Sequence, residues 1–382
     1  MKDVNMVNIG QNIKQVEGYK AFIPEKFPPS SLSFLQSSEL ITLLSQTDLA
    51  VGKLDGITKL LPDIDFFIFM YVKKEAAFSS QIEGTKAKLT DALQAEVEKS
   101  LDLPADVDDI VHYIQAMNEG LQQLEQIPLS LRLIKEVHKV LLTKARSSQY
   151  AAPGEFRTDQ NWIDGTSPFD ARFVPPPANI VLSALGELEL FFHGNNLPNL
   201  IKAALLHAQF ETIHPFRDGN GRVGRLLVTF YLCQQKILER PVLYLSEFLK
   251  RHRNTYFDRL DGYRAGNVDA WIEFFLRGIL SVATEAISVS NKIVILREKN
   301  LEQIAELGKK TSPGAMLLLK ELYKTPIVNA RRVQEVTGFS RQGVYNLTQR
   351  FVDIGILSLR DEKKYGRSFV YANYLNLFDK DG

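Results

Sequence analysis

The run HPFRDGNGR, His214 to Arg222, places a histidine, an acid, two glycines around an asparagine and two arginines within nine residues, and Arg225 follows three positions later. Upstream, LPNLIKAALLHAQFETI has a proline at its start and apolar residues at Leu200, Ala203, Ala204, Leu206, Phe210 and Ile213, the spacing of a helix running to about Ile213. Pro215 disfavours its continuation. Downstream, GRVGRLLVTFYLCQQKIL is apolar on nearly every side, which predicts a central buried helix opening near Asn220 and Gly221. The free N–H groups of such a start, closely approachable because Gly219 and Gly221 lack side chains, favour an anion and phosphate above all. Arg222 and Arg225 project from its first turn toward the same region, and each guanidinium can fork onto phosphate oxygens. Asp218, held just before the amides, needs a cation between itself and a phosphate, and Mg²⁺ is the natural choice.

Singly, each feature is ordinary: DGNG is a turn sequence, arginines decorate many helices, and a histidine before proline is usually structural. Together they are the set that nucleotidyl transfer requires. His207, Glu211 and His214 also give an H-x-x-x-E-x-x-H spacing. That order is not the H-E-x-x-H of zinc proteases, and His207 is expected to make an internal hydrogen bond instead.

The elements around this stretch read as mostly helical. With 382 residues, 45% hydrophobic and 24% charged, the chain can bury a large core and is not disordered. Its net charge of +1 gives no global attraction to nucleic acid or anionic membrane. Cys233 is the single cysteine, so no intrachain disulfide forms, and its apolar setting suggests a small buried hydrophobe. The start MKDVNMVNIGQN lacks the apolar core of a signal peptide and no stretch reads as long enough for a membrane helix, so a cytoplasmic protein without a membrane partner is expected. FIPEKFPPSS, Phe22 to Ser31, is a proline-rich arm that cannot be a regular helix. Amphipathic helices are expected from Leu32 to about Leu124. Between Pro153 and Pro177 the runs NWI and RFV read as a hairpin in an exposed loop. Helices resume from Ile180 to about Gly308, and the texture changes again at Ser312.

The sequence His214-Pro-Phe216-Arg-Asp218-Gly219-Asn220-Gly221-Arg222-Val-Gly-Arg225 resembles the full signature of Fic-domain proteins, H-x-F-x-[DE]-G-N-G-R-x-x-R, without departure. The resemblance extends from KEAAFSSQIEGT through GEFRTDQNWI and FVPPP to WIEFFL. It implies a mainly α Fic (Fido) core with a flap hairpin, and transfer of AMP from ATP to a hydroxyl side chain of a protein, the enzyme itself included. On this reading His214 is the general base toward the target Ser, Thr or Tyr. Asp218 holds Mg²⁺ bridging the α- and β-phosphates, the Gly219, Asn220 and Gly221 amides cradle them, and Arg222 and Arg225 neutralise the leaving pyrophosphate. Phe216 belongs to the same loop as packing that fixes it. NWIDGTSPFDARFVPPP resembles the family's flap, whose edge receives the target backbone as an added strand. KRHRNTYFDRL lies where the family completes its adenine pocket, with Asn254 toward the base and Tyr256 packed against it, although both suit a helix surface and a core equally well.

SSQIEGT sets Ser79 and Glu83 four apart on a helix that Gly84 can end. Beside the signature it resembles the family's inhibitory motif [ST]-x-x-x-E-[GN], which implies that Glu83 reaches Arg225 and misaligns ATP by default. In NARRVQEVTGFSRQGVYNLTQRFVDIGIL two helices flank a turn at Gly338, the second opens at Ser340, and the strand-like runs ILSL and SFVYA follow, so 312–382 resembles a winged helix-turn-helix. This segment holds eleven Lys and Arg against seven Asp and Glu. Arg341, Gln342, Tyr345, Asn346 and Arg350 would face a major groove, with Lys363, Lys364 and Arg367 on phosphates, though such modules also dock proteins. The organisation expected is an arm over 1–31, a helical region with the inhibitory helix over 32–125, the catalytic core over 126–280, a connecting helix over 281–311 and the winged module over 312–382. Two readings compete with AMP transfer: removal of AMP from a modified protein, with Glu83 orienting water, and a DNA-binding regulator whose core senses nucleotide.

Overall fold

In the computed structural model, the structure describes residues 6–29, 37–60, 64–97, 104, 106–143, 151–194, 196–308, 311–360 and 367–378. Within the arm, the described residues hold a hairpin, β1 (Gly10–Lys14) and β2 (Lys20–Pro24), paired antiparallel from Gly10↔Pro24 to Lys14↔Lys20. Phe22 N donates to Val174 O at 2.9 Å, which ties the hairpin to the 153–177 loop. The prolines after Phe22 excluded helix, and the alternating polar run before it gave too weak an apolar face to mark a strand.

Helices build the body. α1 (Ser38–Leu60) lies along the much longer α11 (Val268–Ala305). α2 (Ile64–Ile82), α3 (Leu89–Val97), α4 (Val107–Leu124) and α5 (Leu131–Leu142) follow, then α6 (Ala178–His193). At the centre α7 (Asn199–Ile213) and α8 (Asn220–Gln234) form a helical hairpin joined by the signature loop. Every residue of α7 from Leu200 to Ile213 is buried, and α8 is buried on nearly all sides, contacting α2, α4 and α5 as well as α7. Phe210, Phe230, Tyr231 and Trp271 are each 0% exposed. Each such side chain contributes about 2 kcal/mol by leaving water, so the helices bearing the signature are anchored in the buried core. α9 (Ser246–Arg251) and α10 (Arg253–Arg264) then lead into α11, which Asn267 caps by accepting from Ala270 N at 3.4 Å.

α11 changes two expectations. It runs unbroken across residue 280, where a separate connecting helix is expected to begin. It also has the length and composition to span a membrane, with a window of mean hydropathy 1.5, contrary to the reading that no stretch does. Its interspersed Ser and Thr residues mask the length of the apolar run in the sequence. In the fold that run meets α1, α7, α9 and α10, and Trp271 Nε1 donates to Ala204 O at 2.8 Å.

The C-terminal region contains α12 (Ser312–Lys324), β3 (Ile327–Asn329), α13 (Ala330–Thr337), α14 (Arg341–Asp353), β4 (Ser358–Leu359), β5 (Ser368–Val370) and α15 (Ala372–Leu375). The strands form an antiparallel sheet of order β3-β5-β4, one strand more than the sequence suggests. Gly338, at φ 68°, ends α13, and Ser340 Oγ caps α14 by accepting from Gly343 N at 3.3 Å. On α14, Arg341, Gln342, Tyr345 and Asn346 are exposed. Arg350 instead donates to Thr311 Oγ1 at 2.7 Å, within the chain. Lys363 and Lys364 lie outside the described residues.

Candidate active site

α7 stops because His214 takes left-handed backbone angles, φ 49° and ψ 60°. A non-glycine residue there is strained by about 1–2 kcal/mol, so neighbours must hold it. They come from the 153–177 loop. Arg157 Nε donates to His214 O at 2.9 Å and its Nη2 to Pro176 O at 2.6 Å and Ile213 O at 3.3 Å, while Asn161 Nδ2 donates to Phe216 O at 2.9 Å and His214 O at 3.2 Å. Asn220 closes the loop from inside: its Oδ1 accepts from Phe216 N and its Nδ2 donates to Phe216 O, both at 2.8 Å. Its side chain is thereby fully engaged, and what Asn220 offers a ligand is its backbone N–H. Phe216, grouped above with the phosphate-binding loop, is 0% exposed and lies flat on His138, with ring centroids 3.6 Å apart, so its contribution is packing.

His138, on α5, is a site residue that sequence reasoning missed. Gly154 N donates to its Nδ1 at 2.8 Å, which leaves the proton on Nε2 for Asp218 O at 3.0 Å. One ring therefore locks the signature loop to the base of the 153–177 loop. Burial pushes its pKa down to about 4, which keeps it neutral and this tautomer in place. Its only sequence trace is one histidine in the amphipathic run LRLIKEVHKVLL.

The His214 side chain is 18% exposed. Burial, then the Arg264 and Arg157 cations, pushes its pKa down to about 3, so it is neutral near pH 7 and able to accept a proton. Gly219, at φ 79°, turns the chain into α8. The first-turn amides of α8 have no partner within the helix, and Arg222 and Arg225 rise beside them. The two arginines differ in their engagement. Arg222 has Asp218 Oδ1 at 3.7 Å and Asp109 Oδ1 at 3.9 Å, and its buried Nε lacks a hydrogen-bond partner among the described residues. Arg225 is fully held: Nε donates to Ser79 Oγ at 2.8 Å, and Nη2 donates to Ser79 O at 2.9 Å and Glu83 Oε1 at 2.7 Å.

The residues singled out in SSQIEGT thus meet the signature across the core. α2 ends at Ile82, Gly84 takes φ 98°, and the Glu83 carboxylate lies over the start of α8, where a Cβ on Gly221 would come within 2.2 Å of Oε1. Thr85 Oγ1 donates to Asp109 Oδ2 at 3.1 Å and Lys86 N to Asp106 Oδ2 at 2.6 Å, which pins the following segment to α4. Asp218 has its carboxylate 43% exposed, and Oδ1 accepts from Gly219 N at 2.6 Å. Among the described residues no three His, Cys, Asp or Glu side chains cluster to hold a metal, so what the protein offers Mg²⁺ here is the single accessible Asp218 carboxylate, a ligand that Mg²⁺ would complete with phosphate and water while the helix-start amides and Arg222 serve the phosphate.

The NWI and RFV runs pair through one antiparallel bridge, Ile163↔Phe173. Arg172 ties this flap to α10, through Asp261 Oδ2 at 2.7 Å and Asp258 Oδ1 at 2.8 Å. Trp162 is 39% and Phe169 68% exposed on it. Asn254 is exposed on α10, whereas Tyr256 is 1% exposed and hydrogen-bonds His207 Nε2 through its hydroxyl at 2.9 Å. Tyr256 is therefore core, with no surface to offer a base. His207 Nδ1 meets Gly224 O at 3.0 Å, which is the internal hydrogen bonding expected of it.

Comparison with known proteins fits this geometry. Residues 41–122 match the model of the Fic/DOC family N-terminal region and residues 128–232 that of the Fic/DOC family. The chain is 25% identical over 185 residues to a probable protein adenylyltransferase of Aquifex aeolicus, covering 48% of this chain and 54% of the relative. It is 29% identical over 216 residues to the protein adenylyltransferase Fic of Drosophila yakuba, covering 53% and 40%. The aligned part is thus about half the length of these relatives. Among solved structures, a Fic family protein from Desulfovibrio desulfuricans G20 superposes with a TM-score of 0.57 at 17% identity, over 90% of this chain and 98% of that one. A Fic domain containing signaling protein from Bacteroides thetaiotaomicron superposes with a TM-score of 0.51 at 20% identity, over 64% and 97%. The mainly helical fold and both family matches agree that this chain carries a Fic domain, with the family's N-terminal region in front of it.

Proposed function

We propose that this Fic domain transfers AMP from ATP to hydroxyl side chains of proteins, itself included, and that Glu83 holds the reaction in check. The observation that carries the reading is the convergence of Arg222, Arg225 and the α8 amides on one anion-binding region beside a neutral His214, with the Glu83 carboxylate standing over it. The α8 amides and Arg222 bind the phosphates of ATP, and Arg225 joins them once Glu83 withdraws. His214 accepts the hydroxyl proton as the oxygen attacks the α-phosphorus. When bound at Asp218, Mg²⁺ would neutralise charge between the α- and β-phosphates. The target backbone lies along the flap as an added strand, with Trp162 and Phe169 as apolar contacts. Asn254 stands at the adenine end. The lone cysteine and the need for ATP suit a cytoplasmic site of action.

The test is incubation of the full chain and its Glu83→Gly variant with α-labelled ATP and Mg²⁺, followed by mass spectrometry for AMP adducts. Transfer by the variant supports the reading. Absence of adducts from both proteins overturns it, and loss of AMP from a pre-modified protein by the wild type alone would favour the hydrolase. We further read 312–382 as a winged helix-turn-helix that docks duplex DNA through the exposed α14 face of Arg341, Gln342, Tyr345 and Asn346, with Arg367 on the backbone. Binding that weakens steeply with salt is expected; equal retention at high salt, or none, sends this region to a protein partner instead.

A further inference from the structure

Glu211 lies one turn before His214 on the face of α7 that meets α8, 5% exposed. Its Oε2 is 3.9 Å from His214 Nδ1. That gap exceeds a hydrogen bond; Nδ1 meets no partner in full bonding geometry, although the Glu211 backbone oxygen lies close enough to favour a proton on the His214 ring, and Oε1 is buried without a hydrogen-bond partner among the described residues. Oε1 rests against Gly224, where a Cβ would approach to 2.5 Å, so the carboxyl occupies space that only glycine leaves open. Arg264, the nearest cation on α10, donates to the backbone oxygen of Glu211 at 3.1 Å. An acid placed in an apolar helix face with none of its charge bonded is unfavourable unless something pairs with it.

We propose that Glu211 is a positioning residue for His214: its carboxylate accepts the Nδ1–H, so that Nε2 is the nitrogen free to take the proton of the attacking hydroxyl. The idea rests on the AMP-transfer reading and adds a partner to the base. The bond requires the Glu211 side chain to turn so that the 3.9 Å gap narrows to the ~2.8 Å of a charge-assisted bond. In the step itself the hydroxyl oxygen bonds to the α-phosphorus and the bond from phosphorus to pyrophosphate breaks. The hydroxyl proton moves to Nε2, and the imidazolium keeps its Nδ1 proton against the Glu211 carboxylate, which disperses the new charge.

The surroundings of Glu211 give this pairing a pH signature. It faces His207 and His214 from α7, Arg225 from α8, Glu83 beyond α2, and Arg264 and Tyr256 from α10. Burial raises its carboxyl to about 7, with Arg225 and Arg264 opposing and Glu83 reinforcing. The accepting, ionised form therefore grows as pH rises through about 7, while His214 stays neutral throughout that range.

The experiment compares full-length Glu83→Gly with the same chain carrying Glu211→Gln or Glu211→Asp. Expected is a turnover about 10- to 100-fold lower in the Gln variant with the KM for ATP little changed. The parent rate should climb with pH through about 7, the Gln variant should lose that limb, and the Asp variant should keep it at reduced rate. In histidine labelled with ¹⁵N, His214 of the parent should carry its proton on Nδ1, and this tautomer should give way in the Gln variant. Unchanged turnover with the acid limb intact in a folded Gln variant, or a parent His214 protonated on Nε2, overturns the proposal. If no chain transfers AMP, the reading of the reaction fails and the tautomer measurement alone decides the role of Glu211.

Discussion

Replacing Glu83 by Gly removes one carboxylate and frees the guanidinium that it holds. Arg225 Nη2 and Glu83 Oε1 are 2.7 Å apart, with side chains 2% and 39% exposed. A hydrogen bond to a charged group contributes about 1.5–3 kcal/mol, and because Glu83 reaches solvent the pair belongs toward the lower part of that range, ~2 kcal/mol. At about 1.4 kcal/mol per tenfold, the held arrangement outweighs the released one by roughly 30 to 1. The competent fraction cannot exceed unity, so the variant should label proteins up to ~30-fold faster than wild type. Arg225 keeps its bonds to Ser79 Oγ and Ser79 O, so the guanidinium stays placed and the gain should appear in turnover more than in ATP affinity. The assay is the initial rate of label transfer from α-labelled ATP at saturating Mg²⁺, with Glu83→Gln as an intermediate because its amide retains a weaker bond. Equal rates for wild type and Glu83→Gly would refute the reasoning. A lower rate in the variant would show that the carboxylate takes part in the chemistry.

Three further outcomes follow from the geometry. His214→Ala should abolish transfer while ATP affinity, measured by calorimetry, changes by less than about twofold, because the imidazole acts on the hydroxyl and not on the nucleotide; surviving activity would assign the base elsewhere. Arg157→Lys should lower stability by about 2–4 kcal/mol in urea denaturation and slow transfer at temperatures well below unfolding, since an ammonium cannot span the carbonyls of Asp159, Pro176, Ile213 and His214. An unchanged midpoint would show that the clamp is redundant. The third concerns acid. Burial holds His138 and His207 at about 4 and His214 at about 3, against 6.5 when unfolded, so their contribution is present above 6.5 and is lost as pH falls toward 4. Glu211 and Glu75, raised by burial, act in the opposite sense and stabilise as pH falls toward 4.5. The three imidazoles outweigh the two acids, and urea stability should fall by roughly 2 kcal/mol from pH 7 to pH 5; a rise instead would mean that these histidines are charged in the fold.

What the sequence displays and what it conceals divide along the range of the interactions. The α7–loop–α8 unit was legible because each of its requirements is local: a proline after the histidine, glycines where the chain turns and where another group approaches, arginines three apart, and an apolar run long enough for a buried helix. Ser79 and Glu83 were legible only because a motif gave them a partner; the distance of 2.7 Å to Arg225 spans 142 positions, and no periodicity encodes it. Tyr256 shows the reverse failure. An aromatic on an exposed-looking helix reads equally as ligand contact or as core, and the choice is made by His207, 49 positions away, whose ring nitrogen takes its hydroxyl. His138 and Arg157 escaped notice because their hydrogen bonds go to backbone groups, of Gly154 and Asp218 in one case and of Asp159, Pro176, Ile213 and His214 in the other, and the one ring that His138 stacks on, Phe216, is 78 positions away. Backbone partners have no residue identity for a pattern to register. The strain of His214 is the trace they leave: a non-glycine residue at φ 49° persists only where the surroundings over-determine it, and the surroundings here are those two side chains and Asn161. The placement of His214 is thus set in two ways: Arg157 donates directly to its backbone oxygen, whereas His138 reaches it only through the loop, at the backbone oxygen of Asp218.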